Sequence, residues 1–240
     1  PIYRKNKDHS FWNNIKNPFK THKFRKLMLF YLFWTFAIGV ASNYHTVFIL
    51  KYLDWSFSKI ALLNIGIAII TMCSQPLWGR IIDKVGHKPV IKLTVLCIIP
   101  IPLVYFFSTP LSSWPIWLDV FLSGIIWSGF NLAIFNIVFY SLPDEGRIGF
   151  LAVYSSLTGF VSFLAIVFGG MIAYYLADFQ LIIFGIKITN YHILFLLTVF
   201  LRFVSYPLIK NLDEPEAKPV GVMIFKIISA LNRRIGFSQS

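Results

Sequence analysis

A chain of 240 residues that is 57% hydrophobic and 13% charged lacks the polar surface to coat a water-soluble globule, whose charged share is about a quarter. The net charge of +12 does not mark a nucleic-acid binder, because Lys and Arg stand between apolar runs rather than along one face or arm. Two cysteines, Cys73 and Cys97, both inside apolar runs, are too few for a disulfide framework and have no His or Cys partner at metal spacing.

Residues 1–26 are polar and basic, carry no signal-peptide pattern, and read as a cytoplasmic linker within a longer or processed chain. Six apolar runs follow, at about 27–50, 60–79, 90–108, 116–141, 150–177 and 190–209. A helix needs about 20 apolar residues to cross roughly 30 Å of hydrocarbon, so each run reads as one span. The breaks between them belong at the membrane surfaces, because lipid does not tolerate irregular backbone. Short loops predict that consecutive spans pack as antiparallel neighbours. The fold class is an all-α membrane protein: linker 1–26, six-span bundle 27–209, tail 210–240. In the tail, Ile224, Ile227, Ile228, Leu231 and Ile235 recur at helical spacing among Lys226, Arg233 and Arg234, which predicts an amphipathic helix lying on the inner leaflet.

Lys and Arg set the topology. Eighteen of the 22 fall in the N-terminal lead, the 80–92 segment, the 142–149 loop and the tail, against three (Lys51, Lys59, Lys187) in the alternate loops. By the positive-inside rule the termini and the 80–92 and 142–149 loops are cytoplasmic. The expected location is the cell (plasma) membrane. Trp55, Trp114 and Trp117 are expected at the outer interface and Trp78 at the inner one.

The break between spans two and three, "PLWGRIIDKVGHKP", is more than positive-inside filler. Filler explains Lys84, His87 and Lys88 beside anionic lipid. It does not explain Gly79, Asp83 and Gly86 at fixed offsets. Gly79 is expected to end a helix where a side chain would block a neighbour, Asp83 to face a base or a helix N-terminus, and Gly86 to make a tight turn. This pattern resembles the signature loop of the major facilitator superfamily, between the second and third helices of a six-helix half. After span four, "LPDEGR" is similar to the family's matching loop, with Glu145 and Arg147 in the acid and base positions. The resemblance implies that Asp83, Lys84, Glu145 and Arg147 form a cytoplasmic charge network that holds one conformation and releases in another. Gly169 and Gly170 suit close packing of span five. With twelve helices usual in the family and one signature loop here, the chain reads as the C-terminal half. Its missing partner is then an N-terminal six-helix half of the same protein, and the bilayer is its solvent.

The resemblance further implies that spans one and four line a central cavity for a small-molecule substrate. Their polar residues include Thr35, Ser42, Asn43 and His45 in span one, and Asp119, Ser123, Ser128 and Asn131 in span four. Ser128 and Asn131, three apart at mid-depth, share a helix face; the alternative for both is hydrogen bonding between helices. Asp119 stands well inside a run, which suggests either proton coupling or a hydrated carboxylate at the outer mouth. His45 is open to the same two readings. Arg202, near the inner end of span six, is expected to snorkel. Trp34 and Trp127 are candidates for an apolar binding wall. No phosphate loop, metal cluster or nucleophile–base set is present, so the sequence implies no cofactor and no catalysis. The expected function is a gradient-driven secondary transporter. The alternative is a six-span subunit of an ATP-driven permease or a membrane scaffold, which cytoplasmic loops of about eight to ten residues disfavour.

Overall fold

The computed structural model describes residues 18–142, 146–183, 186–214, 217–219 and 221. Six helical spans cross it: His22–Lys51, Phe57–Val85, His87–Phe107, Trp114–Tyr140, Arg147–Tyr175 and Asn190–Asn211. Most run several residues beyond the apolar runs of the sequence. The second span shows why. Its helix has 29 residues, about 43 Å at a 1.5 Å rise, so its charged last turns stand clear of a 30 Å core without leaving the helix.

The first span is two helices, α1 (His22–Gly39) and α2 (Tyr44–Lys51), separated by a turn at Val40–Asn43. The second, fourth and fifth spans are single helices: α3 (Phe57–Val85), α5 (Trp114–Tyr140) and α6 (Arg147–Tyr175). The third is α4 (His87–Ile98) followed by a 3-10 segment, Ile101–Phe107. Pro100 and Pro102 explain that change, since neither supplies an N–H to continue the α-helical ladder. The sixth is α7 (Asn190–Ser205) with a 3-10 turn, Tyr206–Asn211. Between α6 and α7 the chain forms a hairpin of β1 (Gln180–Ile183) against β2 (Ile186–Thr189), with Gln180 opposite Thr189. The sequence reading has only a loop there. Tyr52 reaches the hairpin by donating to the Lys187 carbonyl at 2.8 Å.

Among consecutive spans, only three and four are main neighbours. The extensive contacts join α3 to α5, α4 to α5, α1 to α6 and α1 to α7, while α3 with α4 and α6 with α7 touch little. The expectation from loop length therefore holds for spans three and four and fails for the other consecutive pairs. A short loop fixes how close two helix ends are, not how far their axes stay together. The contact pattern is unchanged when spans one, two and three are exchanged for four, five and six. The bundle is thus built from two similar three-helix units. Small residues make the closest approaches. A Cβ on Gly169 would fall 2.0 Å from the Val40 carbonyl oxygen of α1's end, and one on Gly129 would fall 2.5 Å from the Trp78 ring. Trp78 is consequently not an interface anchor. It is 8% exposed, seated in the α3–α5 contact, and its Nε1 donates to the Ile125 carbonyl at 2.8 Å. Trp114 and Trp117, at 65% and 53% exposure, do lie on the surface at the opposite end.

Side chains left uncovered are apolar: Leu62, Ile65, Ile69 and Met72 on α3, and Phe160, Phe163, Val167 and Met171 on α6. In the most apolar stretch of each of these two spans only 11% of residues are buried. Such faces belong against lipid or another apolar surface.

Candidate functional site: an intramembrane cavity and a capped turn

The turn in span one and the 3-10 segment of span three face each other across the bundle, and between them lies a cavity of about 250 Å³. Its polar lining is His45, Tyr105, Asp119, Ser123 and Arg202, with Ser42 from the turn itself. Asp119 is 7% exposed. Its two carboxylate oxygens accept from the Tyr105 hydroxyl at 2.7 Å and the Ser123 hydroxyl at 2.6 Å. Ser123 is one helical turn further along α5, so the sequence places donor and acceptor on one face. Asp119 is thus buried, and each of its oxygens accepts from a protein hydroxyl. The His45 ring lies 4.8 Å from that of Tyr105 and 4.9 Å from that of Phe195.

Arg202 does not snorkel. It is 3% exposed, and its Nη1 donates to the Ile98 carbonyl at 3.2 Å. That bond ties α7 to the end of α4, and Thr198 on the same helix donates to the Ala37 carbonyl of α1. α7 is thereby held in the bundle with its guanidinium facing the cavity, away from either surface. Periodicity in α7 was the available signal. Asn190, Leu194, Thr198, Arg202 and Ser205 are all buried and lie at three- and four-residue steps.

A second cavity of about 280 Å³ adjoins the first and shares Ile38, Ser42 and Trp127 with it. Its walls include Tyr31, Trp34, Trp127 and Phe130, and Asn131 opens onto it. Ser128 does not accompany Asn131. It is 1% exposed and its hydroxyl donates to the Thr71 carbonyl of α3 at 3.4 Å, the contact between helices rather than the cavity. Three residues along a helix rotate a side chain by about 300°, enough here to separate the two. Asn43 is exposed at the end of the turn and lines neither cavity.

The signature segment is helix rather than loop. α3 continues through Pro76, Gly79, Arg80, Asp83 and Lys84. The connection to α4 is the single residue Gly86, at φ +91°, where glycine is favoured. Gly79 does not end a helix, and a Cβ there would meet only Leu132 at 4.0 Å. Asp83 and Lys84 are exposed on the last turn of α3, and Asp83 has no hydrogen-bond or ion-pair partner among the described residues. The acid that engages the turn comes from elsewhere. Glu214, just beyond span six, accepts from the His87 amide at 2.9 Å, the Lys88 amide at 2.6 Å and the His87 Nδ1 at 2.7 Å. It caps the N-terminus of α4, whose first amides have no partner within the helix. Burial alone would raise the Glu214 carboxyl; the His87 ring and the two amides outweigh it and hold it below the usual carboxylate value. Lys88 donates to the Lys210 and Leu212 carbonyls, Lys26 pairs with Asp213 at 3.1 Å, and the Lys218 amide donates to the Val85 carbonyl at 2.9 Å. The segment after span six is thus strapped across the α3–α4 corner. In the matching loop, Arg147 is the exposed first residue of α6. Glu145 lies outside the described residues, as do the basic lead up to residue 17 and the tail expected to be amphipathic.

A family model described as Major Facilitator Superfamily matches residues 29–235, spanning all six helices. No curated protein matches the chain, and no solved structure does.

Proposed function

The chain belongs to the Major Facilitator Superfamily, a family of transporters, and we propose that it is the C-terminal half of a secondary active transporter. In this reading it moves a small solute by alternating access, driven by an ion or solute gradient. Its N-terminal six-helix partner half completes the passage. The distribution of Lys and Arg supports a cytoplasmic location for the signature turn and for both ends of the segment, in the plasma membrane. The observation that carries the proposal is the cavity inside the bundle that joins Asp119, Arg202, His45 and Tyr105. Ionisable groups at membrane depth are costly, and their usual use is in a substrate or proton path. Asp119, with its two hydroxyl donors, is the proposed coupling carboxylate, and His45 is its neighbour in the same cavity.

The signature turn serves as the rigid corner of the moving unit. Gly86 and Glu214 fix α3 to α4, and the proposed charge network of Asp83, Lys84, Glu145 and Arg147 holds one conformation and releases in another. The α3–α4 corner is the single residue Gly86 and holds no separate helix, so this corner gives the ATP-driven permease no support.

The test uses full-length protein in liposomes with Cys73 and Cys97 replaced and Ser42→Cys as the single thiol. A membrane-impermeant maleimide is expected to label it from either side. Asp83→Asn is expected to raise labelling from one side and lower it from the other. Labelling from one side only, unchanged by Asp83→Asn, would overturn alternating access.

A further inference from the structure

The cavity also points to a class of solute. Arg202 is buried to 3% exposure, yet its Nε has no hydrogen-bond acceptor among the described residues. The carboxylate in the same cavity does not supply one. Asp119 forms no direct ion pair with Arg202, and its oxygens are occupied by Tyr105 and Ser123. A buried, charged donor without an acceptor is costly to keep. The guanidinium lines the cavity, so an anionic oxygen entering it meets a buried positive charge. The planar fork of Arg suits a carboxylate-type group better than a single-point acceptor.

Beyond Ser42 and Trp127 the chemistry changes from polar to aromatic. Trp34 and Phe130 lie 5.4 Å apart between ring centroids, and Trp127 and Phe130 lie 5.6 Å apart at 89°. These distances are those of packed aromatic pairs. Trp34 Nε1 is also buried, without an acceptor among the described residues. The two cavities share Ile38, Ser42 and Trp127 in their walls.

We propose that the joined cavity binds a small amphipathic organic anion, its carboxylate-type head on Arg202 and a ring-sized apolar body against Trp34, Trp127 and Phe130. The proposal rests on the transporter reading and narrows it. Asp119 disfavours a second anionic group at the Tyr105 side, which selects monoanions with one apolar end. Cations, zwitterions and uncharged amphiphiles are the rival solutes.

Isothermal titration of the full-length protein in nanodiscs decides among them, with phenylacetate, acetate, 2-phenylethanol, phenylethylamine and phenylalanine as probes. Phenylacetate is expected to bind more tightly than each of the others, by about tenfold or more, the scale of a charged hydrogen bond and of a buried ring. Arg202→Gln is expected to weaken phenylacetate by about tenfold to a hundredfold and leave 2-phenylethanol within about twofold. Arg202→Lys, which keeps the charge without the fork, should fall between. Equal or tighter binding of 2-phenylethanol, phenylethylamine or phenylalanine overturns the proposal, as does full phenylacetate affinity in Arg202→Gln or no binding of phenylacetate. If the Arg202 variants do not fold, the order of the probes on the unaltered protein decides alone. Ser42→Cys labelling separates the two claims. Two-sided labelling without phenylacetate binding removes the solute class only. Phenylacetate binding with labelling fixed to one side removes alternating access only.

Discussion

Glu214→Gln isolates what holds the α3–α4 corner. The carboxylate accepts three hydrogen bonds, from the His87 and Lys88 amides and the His87 ring, at 2.6 to 2.9 Å. Its side chain is 7% exposed. Glutamine keeps one acceptor oxygen but turns an amide donor towards a backbone N–H, leaving at least one helix N-terminal amide unpaired. Hydrogen bonds to a charged group contribute about 1.5–3 kcal/mol each and are not additive within one network, so a loss of about 2–3 kcal/mol follows. Hydrogen exchange at the His87 and Lys88 amides reads this locally: both should speed up by about 30-fold or more. Asp83→Asn is the comparison. Its carboxylate is exposed and has no partner among the described residues, so the change should cost under about 0.5 kcal/mol and leave those amides unchanged. Because Glu214 is held below its ordinary value, its contribution is complete above about pH 4.3, the unfolded-chain value, and is lost as pH falls through the depressed native one. Glu214→Gln should remove that acid-side slope. Unchanged exchange in Glu214→Gln, or a larger effect from Asp83→Asn, would refute the assignment of the cap to Glu214.

Other perturbations test the packing and the cavity. Gly169→Ala, with its Cβ driven to within 2.0 Å of the Val40 oxygen, should cost about 3 kcal/mol in denaturant unfolding; Gly170→Ala, whose nearest neighbour is Tyr44 at 3.8 Å, should be neutral or stabilising by under about 1 kcal/mol. Tyr105→Phe should destabilise by about 1.5–3 kcal/mol through its lost bond to Asp119; a neutral result would mean that water replaces the hydroxyl. Asp119→Asn should abolish any pH dependence of Ser42→Cys labelling, and its persistence would move proton coupling elsewhere. Ser128→Ala should cost about 0.6 kcal/mol, as a contact between helices does, and leave phenylacetate titration unaltered, whereas Asn131→Ala should change that titration.

Much of this protein is legible in its composition and spacing. Six apolar runs can satisfy their backbone in lipid only as helices, so span number and fold class follow without packing information. Gly86 follows as well, since a turn this tight favours glycine. Asp119 stands out because a carboxylate inside an apolar run must find protein or water. What spacing leaves open is which helices meet. That is decided by where small residues let backbones approach, as at Gly129 beneath Trp78 and Gly169 against Val40, and it adds spans two and four and spans one and five to the consecutive pair three and four as principal contacts. Arg202 looks like a snorkelling interfacial base when read by depth along its run. Only the fold shows its guanidinium turned into the bundle, tied to Ile98 and sharing a cavity with Asp119. Glu214 lies 127 residues from the His87 it caps; no local pattern reaches that far, and the tertiary structure alone joins them.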